Sequence, residues 1–456
     1  MKYDDFLANK AQLGDPSGFD PIWIPDEAFD FQKYLIDWAV KQGRAALYTD
    51  TGTGKSLMQL VWAENVARKT GKNILIATPL AVCNQTVNEA ARFGVEASVS
   101  RDGKIASKIT VTNYERLHYF NPVDFVGMVC DESAILKSFN GATRQRITEF
   151  MRLLPYRLLC TATPSPNDYT ELGTSSEALG GLGYMDMLGR FFKNEQNSAG
   201  TGRLYGQGRS WRFKGHSSMP FWRWVASWAR AMRKPSDYGF DDSRFELPPL
   251  IEREHIVKSR TLAPGFLFEM PANGMREERD EQRRTIQERC EKAAELAAHD
   301  KPCAIFCNLN DESDLLQKLL SRDFVNIKAK TDEKSMRERE DQFAAFSSGE
   351  LRGVIIKPKV GAMGLNWQHC AHVISFPTYS FEQYYQLVRR FHRYGQKSQV
   401  VSDLIATESS EHIKDALQRK ARQADEMFSA LVRFMHEATV IQNVNFSQEE
   451  KVPVWL

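Results

Sequence analysis

The stretch Thr49 to Ser56, reading Thr-Asp-Thr-Gly-Thr-Gly-Lys-Ser, constrains the fold more than any other. It follows the apolar run Ala45, Ala46, Leu47, Tyr48 and precedes a helix-like pattern, so it joins a buried strand to a helix. Gly52 and Gly54 lack a Cβ. Successive backbone N–H groups can therefore curl inward and cradle phosphate oxygens at the helix N-terminus. In this reading Thr51, Gly52, Thr53 and Gly54 form the cradle and Lys55 reaches the β- and γ-phosphates. Ser56 offers its hydroxyl to Mg²⁺. One departure is visible: the strict pattern has Gly five residues before Gly54, where this chain has Thr49.

At 456 residues the chain exceeds one ordinary core, and a prior of roughly 150 residues per domain suggests two or three. Formal net charge is only +2, so affinity for a polyanion must come from local patches. The seven cysteines are scattered, odd in number and mostly inside apolar runs, which points to buried, reduced thiols. Cys303 and Cys307 are close in sequence but flank a strand core. No matching His/Cys pair lies nearby, so zinc is not expected there. The start does not read as a signal peptide and no apolar stretch is long enough to span a bilayer, so a cytoplasmic protein with no membrane partner is expected.

Strand and helix patterns alternate along the chain. Phe31, Leu35, Trp38 and Ala39 share one helical face, and Gln32 sits at that helix's start. A Gln amide can donate to and accept from an adenine edge, although for the residue taken alone a helix-surface role is the favoured reading. After the loop, an amphipathic helix over Leu57 to Lys69 ends at Thr70-Gly71. Apolar strands follow at Asn73 to Pro79 and at Ile109 to Glu115, with a helix beginning near Val82 between them. This is the pattern of an α/β fold with a parallel sheet covered on both faces.

The stretch Val126 to Ser133 delivers two adjacent carboxylates, Asp131 and Glu132, at the end of an apolar strand. Parallel sheets bind ligands at that end. Asp131 can hold the Mg²⁺ shell and Glu132 can orient or deprotonate a water attacking the γ-phosphate. Leu158 to Cys160 is a further strand, ending in Thr161-Ala-Thr-Pro, whose Thr161 and Thr163 can couple nucleotide state to a neighbouring surface.

This succession resembles superfamily 2 helicases and translocases, and within them the Swi/Snf-like branch of DNA-dependent motor ATPases. Asp131-Glu-Ser-Ala with Leu136-Lys137 resembles that branch's Asp-Glu-x-His box, with Ala134 in place of His. Thr161-Ala-Thr-Pro-Ser-Pro-Asn167, Thr112-Asn-Tyr-Glu and Phe31-Gln32 are similar to further motifs of the branch, and Arg233-Lys-Pro-Ser-Asp to its exit from the first lobe. Gln386 to Gln396 looks like the second-lobe motif Gln-x-x-x-Arg-x-x-Arg-x-Gly-Gln, and Gly361 to Asn366, with Gly364, like the motif before it. The resemblance implies two RecA-like lobes, ATP with Mg²⁺ as cofactors, and Arg390 and Arg393 as arginine fingers. It also places Gln32, Gly364 and Gln386 among the nucleotide contacts. Compactness suggests a bacterial or phage member.

Residues 189–234 hold ten lysines and arginines against one acid, Glu195, a local charge of +9. Trp211, Phe213, Phe221, Trp222, Trp224 and Trp228 interleave with them, and residues 221–232 can form a helix with Trp224 and Trp228 on one face. Here Arg209, Arg212 and Lys214, together with Thr161 and Thr163, are the candidate nucleic-acid contacts. The tryptophans either stack on bases or pack the insertion against the first lobe. The lobe limits read as 1–258, with the insertion at about 171–246, a connector over 259–295, a second lobe over 296–435 and a tail over 436–456. The function expected is ATP-driven translocation on DNA, duplex favoured over single-stranded. A strand-separating helicase, an RNA track, an ATP-gated clamp and a protein partner carrying another activity stay open.

Overall fold

The computed structural model describes residues 16–137, 141–165, 168–194, 211–258, 275–328, 333–358, 367–377, 384, 387–407, 426 and 428–436. In the first unit, α1 (Asp30–Gln42) leads into β1 (Arg44–Thr49), α2 (Lys55–Thr70), β2 (Asn73–Thr78), α3 (Cys83–Arg92), β3 (Ala97–Val99) and β4 (Ile109–Asn113). Then come β5 (Phe125–Asp131), α4 (Ala142–Arg152), β6 (Tyr156–Cys160), α5 (Leu172–Leu179), α6 (Tyr184–Phe191), β7 (Phe192–Asn194), β8 (Trp211–Phe213), α7 (Ser218–Ala226) and β9 (Ala229–Met232). Seven strands form one parallel sheet in the order β3-β4-β2-β5-β6-β1-β9, and β7 and β8 make a separate antiparallel hairpin.

Local chemistry accounts for these elements. In β1 five of the six residues are buried, as expected of a parallel strand covered on both faces. The helix α2 stops at Gly71, whose φ of 68° admits the left-handed conformation, and its N–H closes on the Ala67 carbonyl at 2.8 Å. Arg68 and Lys69 in the last turn complement the helix dipole.

The second unit holds β10 (Leu250–Val257), α8 (Met275–Arg284), α9 (Ile286–Leu296), β11 (Cys303–Phe306), α10 (Asn310–Leu319) and β12 (Phe324–Ile327). It continues with α11 (Glu333–Ser348), β13 (Gly353–Ile356), β14 (His372–Ser375) and β15 (Val400–Thr407). Its parallel sheet runs β10-β15-β14-β11-β13-β12. Side chains alternate between two cores along each strand. Ala304, Phe306, Val354 and Ile356 face the cluster containing Trp367 and Phe391, while Cys303, Ile305 and Ile355 face the cluster containing Cys290 and Ala293 of α9. The chain thus has an α/β fold with two parallel-sheet lobes.

Three boundaries differ from the sequence reading. The strand β10, placed by sequence in the first lobe, pairs along its whole length with β15, so the second unit begins at Ser243. The helix α9, read as connector, buries Cys290 and Ala293 in the second core, and Arg289 forms a buried ion pair with Glu312 at 2.6 Å. The expected helix over 221–232 ends at Ala226, because Ala229–Met232 pairs with β1 as the edge strand of the first sheet. Tertiary pairing overrode helix propensity there.

Helical residues 428–436 belong to the first unit, and Leu431 and Met435 join its core. Phe434 stacks on Trp222 with centroids 5.3 Å apart, and the Arg233 guanidinium lies 5.0 Å from the Phe428 ring. All seven cysteines are buried free thiols. Among the described residues no helix is long and apolar enough to cross a membrane. Leu431→Ala is expected to lower the stability of the first unit by about 2–5 kcal/mol, the usual range for truncating a buried leucine. Calorimetry of the whole chain should show the first unit's transition move while the second unit's stays in place.

Candidate nucleotide site

Register brings the functional strand ends together. Cys160 of β6 pairs with Leu47 of β1 on one side and with Asp131 of β5 on the other. Because the strands are parallel, the Thr49 loop, Asp131-Glu132 and Thr161 all emerge at the same carboxyl edge. That edge is where open α/β sheets take ligands.

In the loop, Gly52 and Gly54 both have a φ of 85°. A Cβ on Gly54 would stand 2.2 Å from Gln32 Nε2, so only glycine fits beneath that amide. Thr49, the residue that replaces glycine, is fully buried and its hydroxyl accepts from Thr53 Oγ1 at 2.9 Å. The departure from the strict pattern is thus absorbed as an internal brace of the loop. Lys55 opens α2 and its ammonium donates to the carbonyls of Thr49 and Asp50 at 2.8 and 2.9 Å, folded back along the loop. Ser56 lies half-buried in the first turn of α2, and Thr51 donates its N–H to Asp50 Oδ1 at 2.6 Å.

The two carboxylates have different environments. Asp131 Oδ1 accepts from Gln59 Nε2 at 2.7 Å. Burial pushes the Asp131 carboxyl above the usual carboxylate range, against the opposing pull of the Gln59 hydrogen bond and the Lys55 charge. Glu132 is the one non-glycine with positive φ, 55°, among the described residues. Such a conformation costs on the order of 1–3 kcal/mol and ends the strand's side-chain alternation. Glu132 Oε1 accepts from Thr161 Oγ1 at 2.7 Å, and Thr161 Oγ1 in turn accepts from the Thr163 N–H at 3.0 Å.

That geometry changes the part given to Thr161. Its side chain is 1 % exposed and holds Glu132, so it sits inside the carboxylate site and not on a surface that could meet nucleic acid. Thr163 is half-buried beside it. Gln32 is buried too: Nε2 donates to the Thr53 carbonyl at 2.8 Å, while Oε1 accepts from the Phe29 N–H at 3.0 Å. The amide therefore ties α1 to the loop, and each half keeps one further hydrogen-bonding position.

Sequence reasoning passed over two residues of this site. Gln59 lies four residues after Lys55, on the same helix face, and its burial between Met58 and Leu60 is the signal that could have found it. Tyr114, quoted only as part of a strand-end motif, donates its hydroxyl to the Asp131 carbonyl and lies 3.3 Å from Cys130 Sγ. It fixes the strand end from below.

In the second unit, Arg390 is buried and Arg393 half-buried. Leu387 and Phe391 anchor their segment in the core. Gln396 Nε2 donates to the carbonyls of Gln368 and Phe391 at 2.9 and 3.0 Å, and the His392 imidazole to the Pro248 carbonyl at 2.7 Å. Gly364 and Gln386 lie outside the described residues.

In the insertion, Phe221, Trp222, Trp224 and Trp228 are at most 5 % exposed and form part of the first core, which decides for packing over base stacking. Its exposed face is cationic. Lys193 and Arg212 stand directly opposite each other on the β7–β8 hairpin, and exposed Lys214 donates to the Gly189 carbonyl. Arg209 lies outside the described residues.

A carboxyl whose folded-state value lies above its unfolded one destabilises the fold once pH passes the unfolded value, and does so in full above the folded value. At neutral pH, Asp131→Asn should therefore raise the melting temperature of the first unit, since Asn keeps the oxygen that accepts from Gln59. Thermal melts at acid and neutral pH would show the gain shrinking as pH falls.

Residues 286–395 match the family profile described as helicase conserved C-terminal domain. No curated protein matches the chain. The matched stretch runs from α9 through Arg390 and Arg393, and it indicates a superfamily 2 helicase-type protein.

Proposed function

We propose that this chain is a nucleic-acid-stimulated ATPase of the Swi/Snf-like kind, coupling ATP hydrolysis to translocation on DNA, with duplex as the favoured track. The observation that carries the reading is the arrangement at the first sheet's carboxyl edge: a glycine loop opening a helix, with Asp131 and Glu132 held beside it by Gln59, Tyr114 and Thr161. The residues fit ATP and Mg²⁺. Two positive-φ glycines leave the loop amides able to converge on phosphate, and Gln59 engages only one oxygen of the Asp131 carboxylate.

Each residue then has a physical task. Lys55 exchanges the Thr49 and Asp50 carbonyls for phosphate oxygens, a substitution of charged for neutral acceptors that strengthens its bonds. Ser56 and Asp131 supply the protein oxygens for Mg²⁺, which when bound offsets charge on the β- and γ-phosphates. Glu132, oriented by the Thr161 hydroxyl, positions and deprotonates the attacking water. Arg390 and Arg393 present rigid, permanently charged forks to the phosphoryl oxygens as charge develops there. The exposed cations of the β7–β8 hairpin take the nucleic-acid backbone. Exposed cations on neighbouring strands can neutralise phosphates without reading sequence.

ATP hydrolysis measured with no polymer, single-stranded DNA, duplex DNA and RNA tests the reading. Stimulation by duplex DNA that disappears in Glu132→Gln is expected, and Arg390→Ala or Arg393→Ala should lower kcat by about 10³-fold or more. A single-strand preference would point to an unwinding helicase and RNA alone to another track; indifference to every polymer would sink the motor reading. In a separate measurement, Lys193→Glu with Arg212→Glu should weaken DNA binding uniformly across sequences and reduce the slope of log affinity against log salt by roughly 0.9 per lost phosphate contact.

A further inference from the structure

The second unit carries a cluster of ligand-type side chains that the motor reading does not use. Cys303 opens β11, His372 opens β14, and the two residues are paired in the sheet register. His299 lies in the turn after α9, four residues before Cys303. One ligand atom from each of His299, Cys303 and His372 falls within 4.8 Å of the others. By sequence Cys303 was matched with Cys307 and left without partners. The fold supplies them from across the sheet and from the preceding turn.

The surroundings have the chemistry of a metal site. His372 Nε2 lies 2.7 Å from Asp403 Oδ2, and Asp403 is 1 % exposed. A carboxylate on the outer nitrogen of an imidazole fixes the tautomer that turns the other nitrogen's lone pair inward, the usual support behind a metal-ligating histidine. The second Asp403 oxygen is held by His255 Nε2 at 2.8 Å. Charge also balances: a thiolate at Cys303 and the carboxylate of Asp403 together match a divalent cation. Arg352, which donates to the His299 carbonyl, is itself paired with Asp323.

As the side chains stand, His299 Nδ1 accepts from the Lys301 N–H at 3.1 Å, so its ring proton sits on Nε2 and points to His372 Nδ1 at 2.6 Å. Metal loading moves this proton to Nδ1 and removes the thiol proton of Cys303, a net release of one. The Lys301 N–H, on an exposed turn, then turns to water. Tetrahedral zinc, with Zn–N near 2.0–2.1 Å, needs its two nitrogens to separate by roughly 0.7 Å. His299 is half-buried on a turn and can give that distance.

We propose that His299, Cys303 and His372 form a site for a divalent ion of zinc type, with Asp403 orienting His372 and an exchangeable ligand completing the shell. Two nitrogens and one sulfur are a donor set that suits borderline-soft Zn²⁺ and excludes Mg²⁺ and Ca²⁺, which take oxygen. Cys303 faces the α9 side of the sheet and Phe391 the other, so the site is separate from the Arg390 segment. Its effect would be to pin the end of α9 to β11 and β14.

The test uses the full chain, stripped with a chelator and titrated with Co²⁺. One equivalent should bind with a thiolate-to-cobalt charge-transfer absorption, and Zn²⁺ should displace it. Cys303→Ala should remove the absorption. His299→Gln, a change on a half-exposed turn that leaves both cores intact, should weaken binding, and Asp403→Asn should do so by about 10–100-fold while keeping the absorption. Binding without charge transfer, or an absorption that survives in folded Cys303→Ala, would overturn the assignment. So would failure of the stripped chain to bind Co²⁺ while its melting curve shows it folded.

Discussion

The first unit depends on placing a carboxylate at a half-buried strand end that disfavours its charge, and still keeping it able to ionise. Asp131 ends the apolar strand β5, and burial alone raises its pKa. The two largest opposing forces are a hydrogen bond from Gln59 and the charge of Lys55, both presented by the first turns of α2, with the Glu132 backbone N–H adding to them. The glycine loop therefore does more than join β1 to α2. By opening α2 at Lys55 it also sets the two residues that keep Asp131 workable, so loop, helix and strand end form one electrostatic unit.

The same edge stores strain in a defined place. A positive φ at Glu132 persists only because its surroundings over-determine it: Tyr114 grips the preceding carbonyl, and Thr161 grips the carboxylate. Thr161 in turn is bonded to the backbone of Thr163, where the chain leaves β6 for the insertion. A change in what Glu132 holds is felt first by Thr161 and then by that segment. Two hydrogen bonds in series thus join Glu132 to the chain leaving β6.

Much of this was legible because it is local. The loop, the strand ending in Asp131-Glu132 and the alternation of strand and helix follow from spacing, from glycine and from apolar runs. What could not be read depended on partners far away in sequence. The strand β9 looked like the end of a helix because Trp224 and Trp228 have helical spacing, yet β1 needed an edge partner and its hydrogen bonds decided the matter. The strand β10 was assigned to the wrong lobe for the same reason, since β15 lies about 150 residues later. The role of Thr161, the brace from Thr49 to Thr53 and the partners of Cys303 all rest on pairings that a one-dimensional reading does not contain.

The insertion shows what composition alone leaves open. Basic and aromatic residues interleave between 189 and 234, which fits either a base-stacking surface or packed tryptophans beneath phosphate-facing arginines. The fold separates much of the two chemistries: Phe221, Trp222 and Trp224 face inward, where Trp222 also receives Phe434 from the returning helical segment, Lys193, Arg212 and Lys214 are exposed, and Arg230 is buried over Trp38. Rigid burial of the rings is what gives the cations a fixed spacing, because Lys193 and Arg212 are held opposite each other by a hairpin whose Phe192 and Phe213 stack at 4.6 Å. Cations held at a fixed spacing with no side chain aimed at a base edge form a surface matched to regular charge and not to base identity.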